Sequence, residues 1–153
     1  MKRIILTILI LIAVLLFPGC QKEAPVEIDL TQLESEISSA DIFTTELSKV
    51  GDKYVTSTMF ISLDGVDSYF VYSQAGQTGE EFGAFSCSSK DEAAALVGEL
   101  KEHIDNFIEL HKGYAEDAVP RLKNAIIEQN DKYVAFIIAE DNSTAQKILD
   151  NYF

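Results

Sequence analysis

Hydrophobic positions recur along the chain with two periods, and the changes of period mark its elements. Leu30, Leu33, Ile37 and Ala40 keep a helical spacing. Thr31 and Glu34 form a capping box there, a hydroxyl and a carboxylate that satisfy the open N–H groups of a helix start, so a helix is predicted from Thr31. A second apolar set, Ile42, Phe43, Leu47 and Val50, carries the pattern on to Gly51, a residue suited to a helix stop. Residues 38–41 read either as a break or as a bend in that helix. Residues 54–63 are open between strand, from their Thr, Val and Phe content, and one helical turn at Met59-Phe60-Ile61.

The period then shortens to two. Residues 68–74 are aromatic and β-branched and read as a strand, and residues 81–88 as the next, with two glycines in the loop between them. The second strand places Phe82, Ala84 and Ser86 on one face and Gly83, Phe85 and Cys87 on the other. Residues 89–112 return to helical spacing through Ala93, Leu96, Val97, Leu100, Ile104, Phe107 and His111, with Ser89 and Glu92 as a capping box and Gly113 as the stop. Asp117 suits the cap of a short helix with Pro120 in its first turn, where a missing N–H costs little. Residues 125–129 and 133–139 form a second pair of strands around an Asn130-Asp131 turn. Ser143 and Gln146 cap a last helix that buries Ala145, Ile148, Leu149 and Tyr152. Residues 134–138 are apolar on both faces, which places that strand centrally, covered on two sides. The fold class is α+β: an antiparallel sheet of two β-hairpins, covered by the long helix and by flanking N- and C-terminal helices.

The first twenty residues change this picture. Lys2 and Arg3 precede an apolar run of 14 residues, 4–17, interrupted only by Thr7. As a helix the run spans ~21 Å, short of the ~30 Å hydrocarbon core, and so reads as a secretory leader. It ends in Phe17-Pro18-Gly19-Cys20, which resembles a bacterial lipobox with Phe17 where Leu is usual. Cleavage after Gly19 makes an acylated Cys20 the first mature residue. The expected organisation is a lipoprotein signal peptide over 1–19, lipidated Cys20 and tether over 20–28, and one domain over 29–153. Removing 19 of the 153 residues leaves 134, and losing Lys2 and Arg3 takes the net charge from −13 to −15. With Cys20 blocked, Cys87 has no partner for an internal disulfide.

Composition excludes several classes. A hydrophobic fraction of 47% is too high for a disordered chain, and 12 basic against 25 acidic residues oppose nucleic-acid binding. His103 and His111 lie about 12 Å apart along their helix and cannot share a metal. Glu99 and His103, one turn apart, offer two zinc ligands where three or four are needed, and read as a solvated pair. Cys87 with either histidine has the composition of a nucleophile and base, against a buried thiol beside Phe85. Of the acidic pairs, Glu80-Glu81 stands at the hairpin mouth beside a glycine loop and is the candidate for binding. Tyr69 is the candidate for an open aromatic face. No catalytic set, metal set or cofactor motif emerges from these residues.

The order of parts also carries a resemblance. The lipobox is followed by Glu80-Glu81-Phe82-Gly83-Ala84-Phe85, then His111-Lys112-Gly113-Tyr114 at the end of the long helix. Next come Ala118-Val119-Pro120-Arg121-Leu122-Lys123-Asn124-Ala125 and Asp131-Lys132-Tyr133-Val134-Ala135-Phe136-Ile137-Ile138. From about Asp41 onward the chain resembles the family called domain of unknown function 4358, small lipoproteins of Gram-positive anaerobes. The resemblance implies a place outside the cell and supplies no activity or site residues. The functional expectation is a non-enzymatic binding or accessory module on the extracytoplasmic face of the cell membrane, anchored through Cys20. It would meet an envelope protein or a cationic ligand, with no cofactor and no nucleic acid. The alternative is a small envelope hydrolase using Cys87 with a His, or Glu80 or Glu81 as general base.

Overall fold

The computed structural model describes residues 26–74 and 76–153. The expected leader, its cleavage site at Gly19 and the acylation site Cys20 lie outside the described residues. Among those described, no helix is long and apolar enough to cross a membrane.

The elements in chain order are α1 (Leu30–Ser39), β1 (Ser48–Lys49), α2 (Asp52–Ser57), β2 (Val66–Ser73), β3 (Glu81–Cys87) and α3 (Lys90–His111). A 3₁₀ turn (Glu116–Ala118), α4 (Val119–Lys123), β4 (Ile126–Asn130), β5 (Tyr133–Ile138) and α5 (Asn142–Leu149) follow. The strands form one antiparallel sheet in the order β1-β2-β3-β5-β4. The two expected hairpins are β2–β3 and β4–β5, joined edge to edge through β3 and β5. Strand β5 is buried at all six residues, as its two-sided apolar pattern requires.

Alternation along the strands builds two cores. Val71, Phe85, Cys87, Val134, Phe136 and Ile138 face α2, α3 and α4. Phe70, Phe82, Ala84, Ala135 and Ile137 face α1 and α5. The result is a sheet between two helical layers, with α3 as the main cover of one side. Ile28, from the segment expected as tether, is buried in the second core, and Glu27 accepts a hydrogen bond from the Tyr133 hydroxyl at 2.9 Å.

Ser89 caps α3 as expected, its hydroxyl accepting from the Glu92 N–H at 3.2 Å, while other caps differ. Asp29 caps α1, its carboxylate accepting from the N–H of Thr31 and Gln32, so the helix starts at Leu30 ahead of the Thr31 box. Asp141 caps α5 through Thr144, where Ser143 was expected. In both cases a carboxylate two residues upstream takes N–H groups of an earlier first turn, and the helix starts before the expected hydroxyl. No side chain caps the short helix at Asp117. The turn of the second hairpin is Asp131-Lys132, with Asp131 at positive φ, because Asn130 pairs with Tyr133. The ambiguous stretch begins inside α2 and continues as loop.

Residues 41–50 are not helical. Their backbone groups are taken by distant partners: the Ile42 carbonyl accepts from Glu140 and Asp141, and the Thr44 N–H donates to Glu80. Apolar spacing cannot hold a helix whose carbonyls and amides are spent elsewhere.

Candidate functional site

Two adjacent carboxylates at the start of β3, singled out by the sequence, organise the densest polar chemistry in the fold. Strand alternation sends Glu80 and Glu81 to opposite sides of the sheet. Both are buried, at 1% and 0% exposure. The sequence placed them at an open mouth; the structure turns them inward and closes the mouth over them. Glutamate survives such burial only when its charge is met.

Glu81 meets three donors. Its Oε1 accepts from the Tyr54 hydroxyl at 2.6 Å and the Ser73 hydroxyl at 2.7 Å, and its Oε2 faces His103 Nε2 at 2.7 Å. An acceptor opposite Nε2 places the ring proton on that nitrogen. The two hydroxyls lie 2.8 Å apart. One carboxylate therefore joins α2, β2, β3 and α3. Burial first, and then the charge and hydrogen bond of Glu81, push the Tyr54 hydroxyl well above its ordinary range.

Glu80 serves the other side. Oε1 accepts from the Thr44 N–H at 2.8 Å, and Oε2 from the Thr44 and Thr45 hydroxyls at 2.7 and 3.2 Å. The Arg121 guanidinium lies 3.7 Å from Oε1. It also donates to the Thr78 carbonyl at 2.6 Å and pairs with Glu140. Glu80 thus fixes the 41–47 loop, and Arg121 ties α4 to the hairpin.

His103 departs most from its sequence reading. It is 5% exposed and bound to Glu81, whereas Glu99 accepts from the Ser62 N–H at 2.7 Å. The solvated Glu99–His103 pair is absent because residue 103 faces the sheet and Glu99 faces the loop before β2. His103 stacks on Phe107, Phe107 meets His111 edge-on, and His111 lies against Tyr114. His111 is fully buried, its Nδ1 at 2.8 Å from the Phe107 carbonyl. That carbonyl can only accept, so Nδ1 carries the proton.

Cys87 is buried at the far end of β3, about 20 Å from Glu81 at ~3.3 Å per residue, and so far from His103. Burial, then the charges of Asp67 and Glu92, push its thiol up. Tyr69 is not an open face: its ring stacks on Phe85 and its hydroxyl donates to Asp52. Among the described residues no group of three or more His, Cys, Asp and Glu is placed to hold a metal ion.

Chemically, the hairpin mouth is a closed electrostatic clasp, with each carboxylate saturated by internal donors. Sequence reasoning found Glu80, Glu81 and His103 and missed Tyr54, Ser73, Thr44 and Arg121. No local pattern marks a donor whose partner sits on another element: Thr44 and Tyr54 lie 36 and 27 residues from their carboxylates, and Ser73, eight residues away, reaches Glu81 only across the hairpin.

No curated protein and no solved structure matches the chain. A family model does match, over residues 40–139, which run from the end of α1 through β5. The matched span holds the whole sheet, α2, α3, α4 and every member of the clasp. The chain belongs to the family described as Domain of unknown function (DUF4358).

Proposed function

We propose that the protein is a membrane-anchored extracytoplasmic lipoprotein whose folded domain is a non-enzymatic binding or accessory module of the cell envelope. The observation that carries the module reading is the inward commitment of its reactive side chains. Glu80, Glu81, His103, His111 and Cys87 are all buried. The carboxylates and imidazoles are engaged with internal partners, and the thiol is pushed away from its nucleophilic form. A general base needs a lone pair within reach of substrate, and neither glutamate presents one. The Cys–His dyad of the hydrolase alternative is opposed by the length of β3 between Cys87 and His103. The anchor rests on the basic start, the 14-residue apolar run and Gly19-Cys20.

Mass spectrometry of the natively produced protein tests the anchor. The expected N-terminal peptide begins at Cys20 and carries acyl mass; a start elsewhere, or an unmodified Cys20, overturns it. Thiol labelling tests the module. Cys87 should label only on unfolding, and rapid labelling of the folded chain with an apparent pKa well below ~8.5 would restore the enzyme.

A further inference from the structure

Basic side chains are scarce in this chain, 12 against 25 acids, yet three of them line one groove. The groove has a volume of about 700 Å³ and lies between α3, α4 and β4, with Lys101, Lys112 and Lys123 on its rim beside Asp105 and Glu109. Its origin is topological. Strand β4 ends the sheet with only β5 beside it, and α3, which packs against both β4 and α4, forms the groove's other wall. Ile104 and Leu122 are buried at the floor, while Ile108 and Ile127 remain half-exposed. Lys101 to Lys112 spans ~16 Å of helix, which sets the groove's length.

The rim is electrostatically unfinished. Lys112 pairs with Glu109, but Lys101 and Lys123, both exposed, form no ion pair among the described residues. An apolar floor with unpaired ammonium groups at its edge is complementary to an apolar chain bearing one anionic head. The remainder of the molecule selects the size of that ligand. A second copy, or an acidic protein, would meet the repulsion of a chain with net charge −13. A small ligand inside the groove senses mainly charges within a Debye length of ~8 Å, where three lysines stand against Asp105 and Glu109 and leave an excess of one positive charge.

We infer that the α3–α4–β4 groove binds a single-chain anionic amphiphile, its alkyl chain on Ile104, Ile108 and Ile127 and its head on Lys101 and Lys123. The inference gives the binding-module reading a ligand class and does not depend on the anchor at Cys20.

Photolabelling of the full chain in phosphatidylcholine vesicles tests it, with palmitic acid carrying a diazirine as probe and the matching alkylamine as control. The acid should label peptides containing Ile104, Ile108 and Ile127, well above the amine. The double variant Lys101→Gln/Lys123→Gln should lower that labelling about five- to tenfold, as expected for two partly exposed ion pairs, with an unchanged urea midpoint. Equal labelling by acid and amine, or labelling confined to other peptides, overturns the inference. So does acid labelling that a glutamate-rich peptide displaces while the variant keeps it. The acyl-Cys20 measurement reads neither outcome, so the two proposals fail separately.

Discussion

A methyl group added at Gly98 and one added at Gly83 should move stability in opposite directions. Gly98 sits on the exposed side of α3, and a Cβ there meets nothing within 4 Å. Glycine in a helix interior costs backbone entropy without return, so Gly98→Ala should stabilise the fold by about 0.5–1 kcal/mol. Gly83 sits mid-sheet between Val71 and Phe136. A Cβ there would lie 2.6 Å from the Phe70 carbonyl and 2.8 Å from the Phe136 ring. One of those contacts is backbone in the adjacent strand and cannot swing away. Gly83→Ala should therefore destabilise by about 1–3 kcal/mol, the range for an overpacked core. Urea unfolding of both variants beside the parent chain measures the contrast; equal midpoints would contradict the close packing of β2, β3 and β5.

At the scale of elements, periodicity carried most of the architecture. Both hairpins, the long helix α3 and the buried β5 were readable, because each sorts its own side chains between core and solvent with a fixed period. Failures came where a distant group decided. Residues 41–47 have helical apolar spacing and lose the helix to Glu80, Glu140 and Asp141. His103 belongs to the core-facing side of α3, yet its partner sits on β3, and only tertiary packing brings Glu81 opposite. That pair gives α3 a polar hold on the sheet beside its apolar one, and its members should not be equivalent. His103→Ala leaves a buried carboxylate without its cationic or N–H partner and should cost about 3–5 kcal/mol. Tyr54→Phe removes one of three donors to the same carboxylate, and about 1–2 kcal/mol is expected. Chemical denaturation ranks the two. A Tyr54→Phe loss matching that of His103→Ala would mean that the imidazole contributes no more than an ordinary hydroxyl.

For the whole molecule, the question is how a chain with 25 acids and 12 bases holds its carboxylates against folded surfaces. Five of its six tyrosines answer it: Tyr54 donates to Glu81, Tyr69 to Asp52, Tyr72 to Glu34, Tyr133 to Glu27 and Tyr152 to Glu36. Most of these bonds tie separate elements together, on both sides of the sheet, where lysine and arginine are too few. A phenol donor has a consequence that an ammonium lacks, since it loses its proton in alkali and then faces a carboxylate as a second anion. Burial, reinforced by the acidic partner, raises Tyr69 and Tyr152 to about 12 and Tyr72 above its ordinary value of 10.0. The folded chain then holds protons that the unfolded chain releases near pH 10. Stability from these groups is complete below pH 10 and falls as pH rises toward 12. The urea midpoint should accordingly be flat up to about pH 10 and drop steeply above it, with phenolate absorbance appearing together with unfolding. Tyr152→Phe should flatten part of that slope, because it removes one titrating clasp. A midpoint insensitive to pH between 10 and 12, or phenolate absorbance that develops fully in the folded chain, would show that the tyrosine–carboxylate bonds do not hold this acidic molecule together.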